Sequence, residues 1–210
     1  MTHDDFASEP VPGLPERPPE GEKILWQGRP HGWWLTWDSL SIPWIAGYFA
    51  FLTLWRFATV VDQVTLTRAV ALSVPFVIMG AIVIALLFIV GYVQARTTVY
   101  TITNRRVAMR IGAALTVTLN LPYSQIANAN LRPGRGGTGT IALDLMGDTK
   151  LSYLVCWPHV RPWRIRTPQP ALRCIPDAEH VAQLLAEAAE ARVETPRIER
   201  VAPAPAMAAE

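Results

Sequence analysis

One stretch constrains this chain before anything else does. Residues 69–93 read AVALSVPFVIMGAIVIALLFIVGYV and carry no charge. A bilayer core takes about 20 apolar residues as helix, so a run of this length predicts a membrane span. A shorter apolar run, SIPWIAGYFAFLTLWRF, precedes it at residues 41–57 and is uncharged until Arg56. Trp37, Trp44 and Trp55 stand near its ends, as in the aromatic belt of a second span. A buried or re-entrant helix is the competing reading. The two runs together predict a transmembrane hairpin over residues 41–93. Composition agrees, since 50% of the 210 residues are hydrophobic and 17% are charged, against about 25% charged in soluble domains.

Basic residues orient the hairpin. Arg96, Arg105, Arg106 and Arg110 follow the second run closely, whereas residues 58–68 carry only Asp62 and Arg68. Positive residues stay in the cytoplasm, so both termini are expected there, with a tight external loop. The first 20 residues are acidic and Pro-rich, which reads as a disordered tail. They lack the basic start and early apolar core of a cleavable signal peptide. Residues 21–40 hold a short strand ending at Gly28, then a segment with Trp33, Trp34 and Trp37 expected at the lipid surface. With Trp44 and Trp55 these are the candidate membrane-interface anchors.

After residue 94 the period changes to short alternating runs. Strands are expected at 98–103, 106–111, 115–120, 125–131, 138–145 and 151–156, separated by Asn104, Gly112, Pro122, residues 133–137 and Gly147–Asp148. Residues 177–192, DAEHVAQLLAEAAEAR, switch to helical spacing, with Val181, Leu184, Leu185 and Ala188 on one stripe. Asp177 is a hydrogen-bond acceptor at the helix start. Residues 193–210 read as a flexible tail. Counting the strand before the hairpin, this is an α+β membrane protein. A two-helix transmembrane hairpin is inserted in a pleckstrin-homology-like β-barrel of about seven strands with a C-terminal helix. The cytoplasmic domain spans residues 94–192.

The formal net charge of +2 hides a sorting. Residues 94–176 carry eleven Lys or Arg against two Asp, a formal +9, while residues 1–40 and 177–210 each come to −4. A basic body beside an anionic leaflet gains about 1 kcal/mol per near-surface Arg. Candidate contacts for a partner protein or lipid are therefore Arg105, Arg106 and Arg110 on the first hairpin and Arg132 and Arg135 at a turn. Residues 157–176, with prolines at intervals, form an expected extended arm that adds Trp157, Trp163, Arg161 and Arg164. Trp and Arg are the residue types that most often anchor interfaces. Topology alone also explains arginines here. A nucleic-acid partner is not indicated, because the aromatic residues gather at the membrane rather than among the basic strands.

No catalytic constellation is visible. Gly134, Gly136 and Gly139 spell GxGxxG, but the dinucleotide motif needs a helix after it, and residues 140–145 alternate like a strand. These glycines are read as a hairpin loop. His159, in CWPHVRPW, reads as a structural histidine. No carboxylate pair, nucleophile–base pair or metal cluster appears, so an enzyme, a cofactor and a metal are not expected. Cys156 and Cys174 are expected as reduced thiols in a cytoplasmic domain. Gly80, Ala81, Ala85 and Gly91 offer small surfaces for packing against the first span. A homo-oligomer stays open.

GEKILWQGRP, VYTITNRRVAMRIG, LPYSQIANANL and GGTGTIAL resemble the bacterial pleckstrin-homology-domain membrane proteins. The Pro-rich start and LSYLVCWPHVRPWRIRTPQPALRCIPDAEHVAQLL resemble more narrowly the photosynthetic complex assembly protein PuhB family of purple bacteria. The resemblance covers nearly the whole chain. It implies a multi-pass protein of the cytoplasmic membrane that helps assemble the reaction centre with light-harvesting 1. Its expected partners are subunits of that complex, other assembly factors and membrane lipids. No catalytic residue carries over. The alternative is an anionic-lipid-binding scaffold without a photosynthetic client.

Overall fold

The computed structural model describes residues 11–113, 116–147 and 151–194. The chain enters through a strand, β1 (Ile24–Gly28), and then forms three helices in succession: α1 (Gly32–Ser39), α2 (Ile42–Val60) and α3 (Leu66–Thr97). Four strands follow, β2 (Val99–Thr103), β3 (Arg106–Ile111), β4 (Val117–Pro122) and β5 (Ile126–Pro133), then β6 (Thr138–Leu145). A one-turn helix, α4 (Tyr153–Cys156), a last strand, β7 (Ala171–Pro176), and the closing helix α5 (Ala178–Glu194) complete the order.

α1 and α2 are a single rod bent at Ser41, whose φ of 53° lies in the left-handed region. The rod lies antiparallel to α3. Gly80 makes the closest approach to α2, where an added Cβ would stand 2.8 Å from the Phe49 Cβ. Gly91, expected to serve α2, instead receives Thr36 of α1. α3 is 32 residues long, about 48 Å at the helical rise. Among the described residues it is the one helix long and apolar enough to cross a membrane. Its best window has mean hydropathy 2.9 and is only 11% buried, unlike a soluble core helix. α2 falls short of that description because Arg56, Pro43 and several Trp and Tyr dilute its apolar run. The expected pair is thus a packed helical hairpin with one clear candidate span.

The strands form two antiparallel sheets, ordered β1-β2-β3-β4 and β5-β6-β7. β1, which precedes the helices, pairs directly with β2, which follows them. The helical hairpin is therefore inserted between two adjacent strands, and its side-by-side ends make that possible. Inward residues Tyr100, Ile102, Val107, Met109, Ile141 and Leu172 build one core between the sheets. Val181, Leu185 and Ala188 of α5 cover it. Gly139 lets α5 close in, since a Cβ there would lie 2.6 Å from that of Ala178.

Two expectations need correction. Residues 151–156, read as a strand, contain α4 instead. The seventh strand is β7, from the end of the Pro-rich arm. Its prolines flank the strand at the sheet edge, where a missing N–H costs no ladder bond. Residues 11–20 are also not a free tail. Leu14 is buried, Gly13 lies against Val99, and Gln27 Nε2 donates to the Pro12 carbonyl at 2.7 Å. This segment lies against β2 at Val99, on the strand face where Thr101 and Thr103 are also buried. Residues 1–10, Leu115, Asp148 and the tail from 195 lie outside the described residues.

Candidate functional site

The β-domain is fastened to the helices by a buried polar junction. At its apolar part, Leu35 of α1, Ala95 of α3 and Cys174 of β7 form a small cluster flanked by Trp34. Trp34 rests on Gly136 at the β5–β6 turn, where no side chain would fit. The His31 N–H donates to the Cys174 carbonyl at 2.8 Å.

Beside this cluster runs a chain of hydrogen bonds whose direction follows by elimination. The Gln94 carbonyl only accepts, so the Thr98 hydroxyl donates to it at 2.7 Å. That hydroxyl then accepts from His159 Nε2–H at 2.9 Å. A neutral imidazole leaves Nδ1 as acceptor, and the Tyr100 hydroxyl donates to it at 2.6 Å. The Tyr100 oxygen in turn accepts the Arg173 backbone N–H at 3.2 Å. Burial, helped by the nearby Arg173 cation, holds His159 down to about 3, so it stays neutral. Burial likewise pushes the Tyr100 hydroxyl above its usual range and the Cys174 thiol up to about 11. Both cysteines are free and buried, which suits packing and not reactivity.

Arg173 closes the junction. Its side chain is 3% exposed and pairs with the Asp38 carboxylate of α1, which itself is open to solvent. It also donates to the Pro158 carbonyl at 3.3 Å. Neither Arg173 nor Asp38 stands out in the sequence, because the pair is separated by 135 positions.

On the first hairpin the three arginines are placed differently: Arg105 is exposed, Arg106 half-buried and Arg110 buried. Glu22, with a 3% exposed side chain, accepts from Arg106 Nε at 2.9 Å and Nη2 at 3.2 Å. It also accepts the Thr103 hydroxyl at 2.8 Å. Arg105 reaches the Glu20 carbonyl at 3.3 Å, and Arg110 is only 9% exposed. Asn104 completes the clasp by accepting the Lys23 N–H at 2.9 Å and donating to the Gly21 carbonyl at 2.9 Å.

The arm is different. Residues 159–161 and 169–171 form a narrow stem, with Arg161 N–H donating to the Gln169 carbonyl at 2.9 Å and Ala171 N–H to that of His159 at 3.0 Å. The Arg161 guanidinium is tied to Gln169 Oε1 at 3.1 Å. The Gln169 amide donates in turn to Asp144. At the tip, Trp163 is 91% exposed at φ 66°, beside the exposed Arg164, Ile165 and Arg166. Leu154, Val155 and Trp157, on α4 and just after it, are also exposed. Arg132 and Arg135 are exposed on the β5–β6 hairpin. Arg166 and Ile165 escaped the sequence reading; their signal was the Trp-Arg-Ile-Arg alternation itself.

Of the tryptophans proposed as membrane anchors, Trp44 and Trp55 are exposed on α2. Trp33 stacks on Trp37 with centroids 6.5 Å apart and tilts over Phe88 at 4.5 Å. Trp34 belongs to the junction instead. The GxGxxG stretch is a turn, closed by Gly134 N–H to the Thr138 carbonyl at 2.7 Å. A groove of about 750 Å³ beside it is lined by Asp177 and Glu179, charges that repel phosphate. No metal-holding cluster of His, Cys, Asp or Glu occurs among the described residues.

Comparison with known proteins agrees with this architecture. Residues 42–189 match the bacterial PH domain family. The match takes in α2, α3 and both sheets but leaves out β1. A relative from Rhodobacter capsulatus, described as an uncharacterized 23.7 kDa protein in the puhA 5′ region, is 46% identical over 203 residues, 94% of each chain. No solved structure matches. The match over most of its length, helices included, makes this chain a member of the bacterial PH-domain family.

Proposed function

We propose that this protein is a membrane-anchored assembly factor for the photosynthetic reaction centre–light-harvesting 1 complex, of the PuhB kind. The observation that carries it is the relative named for its place in the puhA 5′ region. The exposed apolar surface of α3 supports a membrane anchor. In this reading α2 and α3 both cross the cytoplasmic or intracytoplasmic membrane, and both termini and the PH-like domain lie in the cytoplasm. The protein acts as a scaffold, without catalysis, through contacts with reaction-centre or antenna subunits or other assembly factors. Deleting the gene is expected to lower assembled complex while transcripts of its subunits persist. Normal complex levels in the deletion strain would refute the reading.

A second reading, an anionic-lipid scaffold without a client, draws on Arg132, Arg135, Arg164 and Arg166, all exposed. It predicts normal complex levels in the same strain, so one experiment separates the two.

A further inference from the structure

We propose that the tip of the arm, residues 161–169, dips into the headgroup layer of the bilayer that α3 crosses. Trp163 and Ile165 enter the acyl boundary, and Arg164 and Arg166 meet anionic phosphates. The inference rests on the reading of α3 as a membrane span.

Position is the first argument. The arm springs from His159, whose ring is bonded to Thr98 at the C-terminal cap of α3. The preceding Pro158 carbonyl is held by Arg173, which also grips α1. The charge-free run ends at Val93, and five residues of helix rise about 8 Å. The polar layer beyond the hydrocarbon core is roughly 5–7 Å deep on each side. The stem therefore starts at the outer edge of the headgroups. Four residues from stem to tip span at most about 14 Å, enough to reach the acyl boundary.

Chemistry is the second. Trp163 is 91% exposed and Ile165 66%. Trp at the lipid–water boundary keeps its ring in the apolar layer and its N–H in the wet one. Residues 151–176 contain no Asp or Glu. Among the described residues neither Arg164 nor Arg166 meets a carboxylate. The arm is cationic, which complements an anionic lipid surface.

The test uses the full chain in vesicles of anionic phosphatidylglycerol mixed with phosphatidylcholine. Cys156 and Cys174 are buried, so a nitroxide label enters at new cysteines: Ile165→Cys on the arm, Ile82→Cys on α3 and Ala186→Cys on α5. Accessibility to oxygen against a water-soluble nickel chelate reports depth. Ile165→Cys is expected to show an oxygen-to-nickel ratio several-fold above that of Ala186→Cys. Adding Arg164→Gln and Arg166→Gln is expected to lower it. A label at residue 165 as wet as that at residue 186, with residue 82 in lipid, overturns the inference and leaves the arm free for a protein partner. A wet label at residue 82 refutes the span, and the inference with it.

Discussion

The hairpin around Asn104 and the arm around Trp163 are equally basic in sequence and opposite in structure. Arg106 is satisfied by Glu22, 84 positions earlier, and Arg110 is buried, while Arg105 stays exposed. Among the described residues Arg164 and Arg166 meet no carboxylate. An arginine in a sequence is thus only a potential contact. What decides is whether an acidic residue elsewhere is brought to it. Buried pairs specify a fold, whereas charges left over at the surface are available to something outside it.

That contrast can be broken at several points, from the largest effect down. Asp38→Ala leaves the buried Arg173 cation unpaired and is expected to cost about 3 kcal/mol. The thermal midpoint in detergent should fall well below that of Arg173→Met, which removes the cation itself. Equal midpoints would show that the pair is not what fastens α1 to β7. Glu22→Ala strips three hydrogen bonds from a side chain 3% exposed and should cost about 2 kcal/mol. Protease cutting within residues 11–23 should then quicken; an unchanged rate would count against the clasp.

The third concerns pH. His159 falls from its ordinary 6.5 to about 3. Between those values the unfolded chain binds a proton that the folded chain refuses. This share of stability is therefore full above pH 6.5 and lost as pH falls, by about 1.4 kcal/mol at pH 5.5. Midpoints of the parent and His159→Gln should converge as the solution is acidified, and parallel curves would refute the neutral tautomer. Smallest of all, Trp163→Ala and Arg164→Ala should each change stability by less than about 0.5 kcal/mol. A larger loss would mean the arm is part of the fold.

Much of the domain was legible because alternation and turn residues are local. β2, β3 and β6 stand where Tyr100, Val107 and Ile141 alternate inward, bounded by Asn104, Gly112 and the glycines near 136. α3 and α5 were legible for the same reason. Residues 151–156 failed because a six-residue apolar run fits one helical turn as well as a strand. β7 was hidden by its own prolines. The clasp and the junction were illegible in a stronger sense, since Glu22–Arg106 and Asp38–Arg173 join residues that no local pattern relates. Residues 11–20 read as disordered from composition, yet the buried Leu14, Gly13 against Val99 and the Gln27 bond to Pro12 hold residues 12–14 on the sheet.

The pairing of β1 with β2 has a consequence for biosynthesis. Gln27 and Thr101 bond across 74 positions, and most of the chain between them is α1, α2 and α3. A loop of that length is slow to close by chain diffusion. Once the two helices are side by side, their ends are already neighbours and most of that search is gone. Pairing of β1 with β2 is therefore expected to be faster once the hairpin has formed, which couples completion of the first sheet to insertion of the helices.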